Sequence, residues 1–196
     1  LKVPVHLSAP VDAELAADGY DAVVVATGST AKVFPLGEGA PVCTASDILT
    51  GRVPCGDRTV VVGGGLVGCE TALWLAQLGK KVTIVEALDR LMAVNRPLCH
   101  ANSEMLERLI PFHGIEVLTS AAVKSWNAGS LQVEAAGGSR ELPSDTVILS
   151  VGFREEDSLY RALEGTVPEL YLLGDARKVS NIMYAVWDAF EVANHI

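Results

Sequence analysis

The chain has 196 residues, 49% of them hydrophobic and 20% charged, enough for one large cored domain or two small ones. Its formal net charge of −9 argues against a nucleic-acid footprint and against an anionic membrane surface, since both need clustered Lys and Arg. No apolar run approaches the roughly 18–20 residues of a membrane span.

The start carries no signal peptide, and Leu1-Lys2-Val3-Pro4-Val5 reads as a strand. There is no initiator Met, and both ends fall inside apparent secondary structure, so the chain is expected to be a fragment of a longer polypeptide. Residues 1–35 read as strands and turns. A buried strand spans Tyr20 to Ala26, entered by the turn Asp18-Gly19 and ending in Thr27-Gly28-Ser29. Residues 35–58, rich in Pro and Gly, read as a connector with one short helix near Ser46 to Leu49 and Ser46 as its N-cap.

Residues Thr59 to Glu86 form one continuous dinucleotide-binding pattern. An apolar run, Thr59-Val60-Val61-Val62, leads into the turn Gly63-Gly64-Gly65-Leu66-Val67-Gly68. A helix from Cys69 to Leu78, stopped by Gly79, precedes a second apolar run, Val82 to Val85, that ends on Glu86. Gly63 allows the tight turn, Gly65 admits a pyrophosphate to the backbone, and Gly68 lets the helix pack against the sheet. The helix N-terminus offers free N–H groups to phosphates. Glu86 suits the two free hydroxyls of an adenosine ribose and would repel a 2′-phosphate, which favours NADH over NADPH; Arg90 could offset this by binding the phosphate. Leu66, Ala72, Leu73, Ala76 and Leu78 mark the inward face of the helix.

Leu98 to Phe112 reads as a helix with Met105, Leu106, Leu109 and Phe112 at helical spacing, closed by His113-Gly114 and followed by a strand, Ile115 to Leu118. Ala121 to Trp126, Leu131 to Glu134 and Arg140 to Leu142 read as a β-meander, and Thr146 to Leu149 as a buried strand ending at Gly152. A short helix, Ser158 to Leu163, a strand at Leu170 to Leu173 and a terminal helix, Asn181 to Ile196, complete the chain. The fold class is therefore α/β: a Rossmann-like parallel sheet with a β-meander. Cys43, Cys55, Cys69 and Cys99 form no CxxC pair; Cys69 reads as a small buried hydrophobe, and no metal site is expected within the chain. Such thiols fit a reducing cytoplasm. His6, His100, His113 and His195 show no triad-like arrangement, and no catalytic side chain is assigned.

Four segments, in this order, resemble the two-dinucleotide-binding-domain flavoproteins: Val24-Val25-Ala26-Thr27-Gly28-Ser29, Val60 to Glu86, Leu149-Ser150-Val151-Gly152, and Leu170 to Ala176. Within that superfamily the chain is similar to the C-terminal region of the NADH:flavin oxidoreductases of the 2-enoate reductase and 2,4-dienoyl-CoA reductase type. The resemblance implies an NAD(P)-binding domain at 59–151, inserted into an incomplete FAD-binding domain made of 1–34 and 152–196. It places Thr27 and Gly28 beside FAD, Gly174 and Asp175 in the second FAD motif, Ile182 near the flavin ring and Gly152 near the nicotinamide. The family's first glycine motif for FAD, its FMN barrel and its iron–sulfur cysteines lie upstream and are not in this sequence. The fragment is thus expected to hold NAD(H) but to bind FAD poorly by itself, its partner being the rest of its own polypeptide. Asp175 also reads as a helix N-cap.

The implied activity is hydride transfer from NADH to FAD, then onward in the intact protein to an enoate or enoyl C=C bond. Two other readings stay open: a non-catalytic ADP- or NAD-binding module, and a piece of a pyridine nucleotide-disulfide oxidoreductase or NADH oxidase.

Overall fold

A computed structural model describes residues 2–93 and 100–196. The chain divides into two compact units, residues 31–152 and residues 1–30 with 153–196.

The larger unit is built on a five-stranded parallel sheet. Its strands are β3 (Val42–Thr44), β4 (Arg58–Val62), β5 (Lys81–Val85), β6 (Glu116–Leu118) and β10 (Thr146–Leu149), in the order β3-β10-β4-β5-β6. An antiparallel meander, β7 (Ala122–Asn127), β8 (Ser130–Ala135) and β9 (Gly138–Pro143), covers one face. Helices α2 (Ala45–Leu49), α3 (Leu66–Gln77) and α4 (His100–Phe112) cover the other. The two-residue period of the strands sorts the core. Val61, Ile84 and Ile148 pack under the helices with Cys69, Ala72, Leu75, Leu106 and Ile110. Their neighbours Val60, Val62, Val85, Val147 and Leu149 pack against Leu131, Val133 and Leu142 of the meander. A sheet covered on both faces explains why its central strands read as unbroken apolar runs.

The smaller unit contains α1 (Ala13–Ala17), β1 (Ala22–Val25), β11 (Phe153–Glu155), α5 (Ser158–Leu163), β12 (Glu169–Leu172) and α6 (Ile182–Ala193). Strand β2 (Ser29–Ala31) ends at the unit boundary and pairs with β11. β1 pairs in parallel with β12, and Ala16, Val25 and Leu163 form the centre of a small core.

Several sequence expectations need correction. Residues 2–10 form no strand: Val3, Val5 and Leu7 are 70%, 74% and 84% exposed, and no described strand pairs with them. The stretch 35–58 is more than a connector, because Val42–Thr44 is an edge strand of the large sheet. The N-cap of α2 is Thr44 rather than Ser46; Thr44 and Asp47 cap each other's backbone in a capping box, and the Thr44 hydrogen bonds hold the Asp47 carboxyl below its usual range. Helix α1, capped by Asp12, lies where strands and turns were expected. Helix α3 begins three residues earlier than its pattern suggests, at Leu66, and Leu78 is exposed while Leu75 is buried. In α4, Phe112 is 80% exposed and Ile110 takes the inward position. Leu98 and Cys99 lie outside the described residues.

The β7–β8 hairpin turns through Ala128 and Gly129, both with positive φ (45° and 88°), which is the backbone of a two-residue type I′ turn. Alanine is poorly suited to that conformation, whereas asparagine tolerates it. Ala128→Asn is expected to stabilise the protein by about 1 kcal/mol, raising the melting temperature by about 2–4 °C for a chain of this size. Thermal unfolding followed by circular dichroism checks this.

Candidate dinucleotide-binding site

Strand β4 ends at Gly63, whose φ of +104° turns the chain sharply away from the sheet. Its N–H donates to the Val85 carbonyl at 2.8 Å, so the turn stays tied to β5. Gly65, in extended backbone, is the N-cap of α3 and supplies no side-chain hydrogen bond. The amides of Leu66, Val67 and Gly68 therefore begin the helix without intrahelical carbonyl partners.

The three glycines of the motif differ in what surrounds them. A side-chain carbon at Gly68 would lie 1.9 Å from the Gly63 carbonyl oxygen, and one at Gly63 would lie 2.3 Å from the Ser150 carbonyl oxygen. These two positions are closed by protein backbone. At Gly65 nothing lies within 4 Å, so the space above the helix start is open. That is the distribution a pyrophosphate cradle requires: close packing below, free backbone above.

Gly64 is clamped by the segment after β5. Its N–H donates to Glu86 Oε2 at 2.5 Å, and its carbonyl accepts from the Met92 N–H at 2.7 Å and the Cys69 thiol at 3.4 Å. Glu86 Oε1 accepts the Leu88 N–H at 2.8 Å. The half-buried Glu86 carboxylate is thus fixed at the tip of β5, beside the corner. Each of its oxygens keeps further acceptor capacity, so it can still receive a ribose hydroxyl. The sequence pointed to Glu86 as a ligand; that it holds the corner in shape is visible only in three dimensions. Arg90 is exposed and makes no ion pair among the described residues. Gly152 occupies an exposed turn with φ +94°, its carbonyl accepting from the Lys32 N–H at 3.0 Å.

The residues expected near FAD gather in the smaller unit. Gly28, Gly174, Asp175 and Ile182 line one cleft of about 340 Å³, together with Ala26, Leu173, Ser180, Asn181 and Ala185, which sequence reasoning did not single out. Thr27 adjoins it, its hydroxyl donating to the Glu156 carbonyl. Asp175 accepts from the Ser180 N–H at 3.0 Å and the Ser29 hydroxyl at 3.2 Å, so it binds its own loop and is not a helix N-cap; that position, for α6, belongs to Asn181. Asp188 of α6 supports the loop from behind, accepting from the Gly174 N–H at 3.2 Å and Arg177 at 2.9 Å. Gly174 (φ +61°) and the lack of large side chains at Ala26, Gly28 and Ala185 leave backbone exposed to a flat or phosphorylated group, which suits part of a flavin dinucleotide.

The two buried thiols, Cys43 and Cys69, are not poised for chemistry. Burial pushes Cys43 up to about 11 and Cys69 up to about 12, so both stay protonated at neutral pH. Among the described residues no three His, Cys, Asp or Glu side chains converge as metal ligands. His195 bonds the Glu191 carbonyl through Nδ1 at 2.7 Å, and His113 packs edge-on against Phe112.

Residues 3–176 match the family model described as pyridine nucleotide-disulphide oxidoreductase. The chain belongs to this family. It is 41% identical over 178 residues to the cinnamate reductase of Clostridium sporogenes, covering 91% of this chain and 27% of the relative. It is also 35% identical over 201 residues to an NADH oxidase of Thermoanaerobacter brockii, covering 97% of this chain and 30% of the relative. Among solved structures, a 2-naphthoyl-CoA reductase superposes with a TM-score of 0.86 at 25% identity, covering 95% of this chain and 28% of that one. The chain therefore spans under a third of the length of these relatives. It has the α/β, Rossmann-like fold of flavin-dependent pyridine nucleotide oxidoreductases. No helix among the described residues is long and apolar enough to cross a membrane.

Substitutions at the glycines should separate binding from folding. Gly65→Val leaves the corner intact, costing about 1 kcal/mol through weaker capping, but lowers NADH affinity at least about tenfold, or 1.4 kcal/mol. Gly68→Ala forces the helix off the corner and lowers stability by about 1–3 kcal/mol. Calorimetric titration and urea unfolding of both variants check the contrast. Glu86→Gln places an amide donor where one backbone N–H now finds an acceptor. It is expected to lower stability by about 1–2 kcal/mol and to weaken NADH binding without a matching gain for NADPH, as read by unfolding and by titration with each nucleotide.

Proposed function

We propose that this chain docks NADH for a flavin-dependent reductase, with residues 31–152 holding the nicotinamide cofactor and the Gly28–Gly174–Asp175 cleft contributing to the FAD site. The observation that carries the reading is the corner itself: open space above Gly65, uncapped amides at the start of α3, and a fixed carboxylate at Glu86 hydrogen-bonded to Gly64. The α3 amides and helix dipole bind the diphosphate. Glu86 receives the adenosine ribose hydroxyls and disfavours a 2′-phosphate in the same place, which sets a preference for NADH. Bound NADH supplies a hydride and the flavin accepts it; the protein's part is docking and electrostatics. Neither step calls for a general acid or base from this chain.

The reading extends to an enoate- or enoyl-type C=C acceptor in the intact protein. The likeness to a cinnamate reductase and to a 2-naphthoyl-CoA reductase supports that acceptor class. On this reading the partner of the segment is the remainder of its own polypeptide, which brings the other half of the FAD domain, FMN and an iron–sulfur cluster, in a reducing cytoplasm. The likeness to an NADH oxidase supports a second reading, in which the same NADH-to-flavin step serves a different acceptor.

Mixing the flavin-loaded full-length protein with NADH in the absence of oxygen should bleach the flavin absorbance within the mixing time. Reoxidation of the reduced protein by cinnamate, with no comparable reoxidation by oxygen, would favour the enoate acceptor. Nucleotide binding without bleaching would reduce the segment to a structural nucleotide module.

A further inference from the structure

Helix α6 is built the opposite way from an ordinary amphipathic helix. Its apolar side chains Ile182, Val186, Trp187 and Phe190 are exposed, while its least exposed positions are Ala185, Asp188 and Val192, at the spacing of one helix face. That face meets the loop after β12, where a side-chain carbon at Gly174 would come 3.5 Å from the Ala185 Cβ. A carboxylate on an inward face costs desolvation that an aliphatic residue would avoid, so its hydrogen bonds must account for its presence. Asp188 does not line the cleft; from α6 only Ile182 and Ala185 do. It works from behind, through the loop. Oδ2 accepts the Gly174 N–H at 3.2 Å, and Oδ1 accepts from Arg177 Nη1 at 2.9 Å. The Gly174 carbonyl is held as well, accepting the N–H groups of Arg177 at 3.1 Å and Lys178 at 3.0 Å. Both backbone polar groups of Gly174 are therefore fixed, at a residue whose φ of +61° is left-handed.

Gly174 leads directly into Asp175, so its conformation sets where the Asp175 carboxylate stands in the cleft. Asp175 then holds Ser180, next to the start of α6, and Ser29. Resting on the flavin reading of this cleft, we propose that Asp188 is a positioning residue for FAD. By anchoring the Gly174 N–H and Arg177 it locks the left-handed turn, so the loop meets the flavin dinucleotide already in its bound shape. Arg177 offsets the second negative charge that Asp188 brings near a diphosphate.

The test measures how fast FAD leaves the flavin-loaded full-length protein on dilution, with released flavins separated by chromatography so that FAD is told from FMN. Asp188→Ala removes both acceptors and is expected to speed FAD loss about tenfold, the size of a hydrogen bond to a charged group. Asp188→Asn keeps an oxygen for the Gly174 N–H and is expected to restore most of the retention, to within about two- to threefold of wild type. Arg177→Gln tests the same lock without altering the helix and is expected to speed loss about two- to threefold. ADP affinity of the loaded protein, which reports the glycine corner, should equal wild type in all three. A wild-type rate in Asp188→Ala or in Arg177→Gln overturns the assignment, as does an Asn variant no better than Ala. ADP affinity falling in step with FAD retention also overturns it, since the substitution would then act on the whole fold. A wild type that takes up no FAD overturns the flavin reading of the cleft itself.

Discussion

The packing of α3 onto the end of β4 governs this molecule. Helix and strand meet so closely at Gly63 and Gly68 that a single added carbon at either position would overlap backbone, and Ser150 closes the same joint from β10. Hydrogen bonds from Gly63 to Val85 and from Ser150 to Val62 tie three neighbouring strands together at one end of the sheet. The proposed dinucleotide corner is built on this joint. Because backbone rather than side chain fills the space beneath it, the helix terminus above is left uncovered with its dipole facing outward.

A second consequence is that recognition and architecture share groups. Glu86 is fixed by two backbone N–H donors, so the carboxylate that would select NADH also keeps Gly64 in place. Leu91 packs so near Gly64 that a side-chain carbon there would come within 2.4 Å of it, and the buried Met92 closes the clamp through the Gly64 carbonyl. The same economy holds in the smaller unit, where Asp175 binds its own loop through Ser180 and β2 through Ser29. Carboxylates held in this way lose little freedom when a ligand arrives, which is the advantage of a preorganised site.

The two units differ in how completely they are built. The larger has a sheet covered on both faces. The smaller has a core centred on three residues, and α6 leaves Ile182, Val186, Trp187 and Phe190 more than half exposed, with no residue of the helix buried. An apolar helix of that kind is at odds with its solvent-facing position.

What could be read without coordinates was whatever local chemistry dictates. Short apolar runs gave the strands at Thr146–Leu149 and Val82–Val85, and alternation between turn residues gave the hairpins of the meander. The glycine motif with Glu86 at its expected distance gave the corner on which the proposed nucleotide site is built. Tertiary structure decided matters that depend on partners distant in sequence. Val42–Thr44 is a strand because β10 offers it an edge, whereas Val3 and Val5 have a strand-like pattern and no described neighbour. Thr44 caps α2 because Asp47 answers it, and Phe112 faces outward because Ile110 already fills the groove against α3. The place of Ser150 against Gly63 and Gly68 could not be foreseen, since more than 80 residues separate it from either. Only the pairing of β10 with β4 makes them neighbours, and that pairing is decided by the whole sheet.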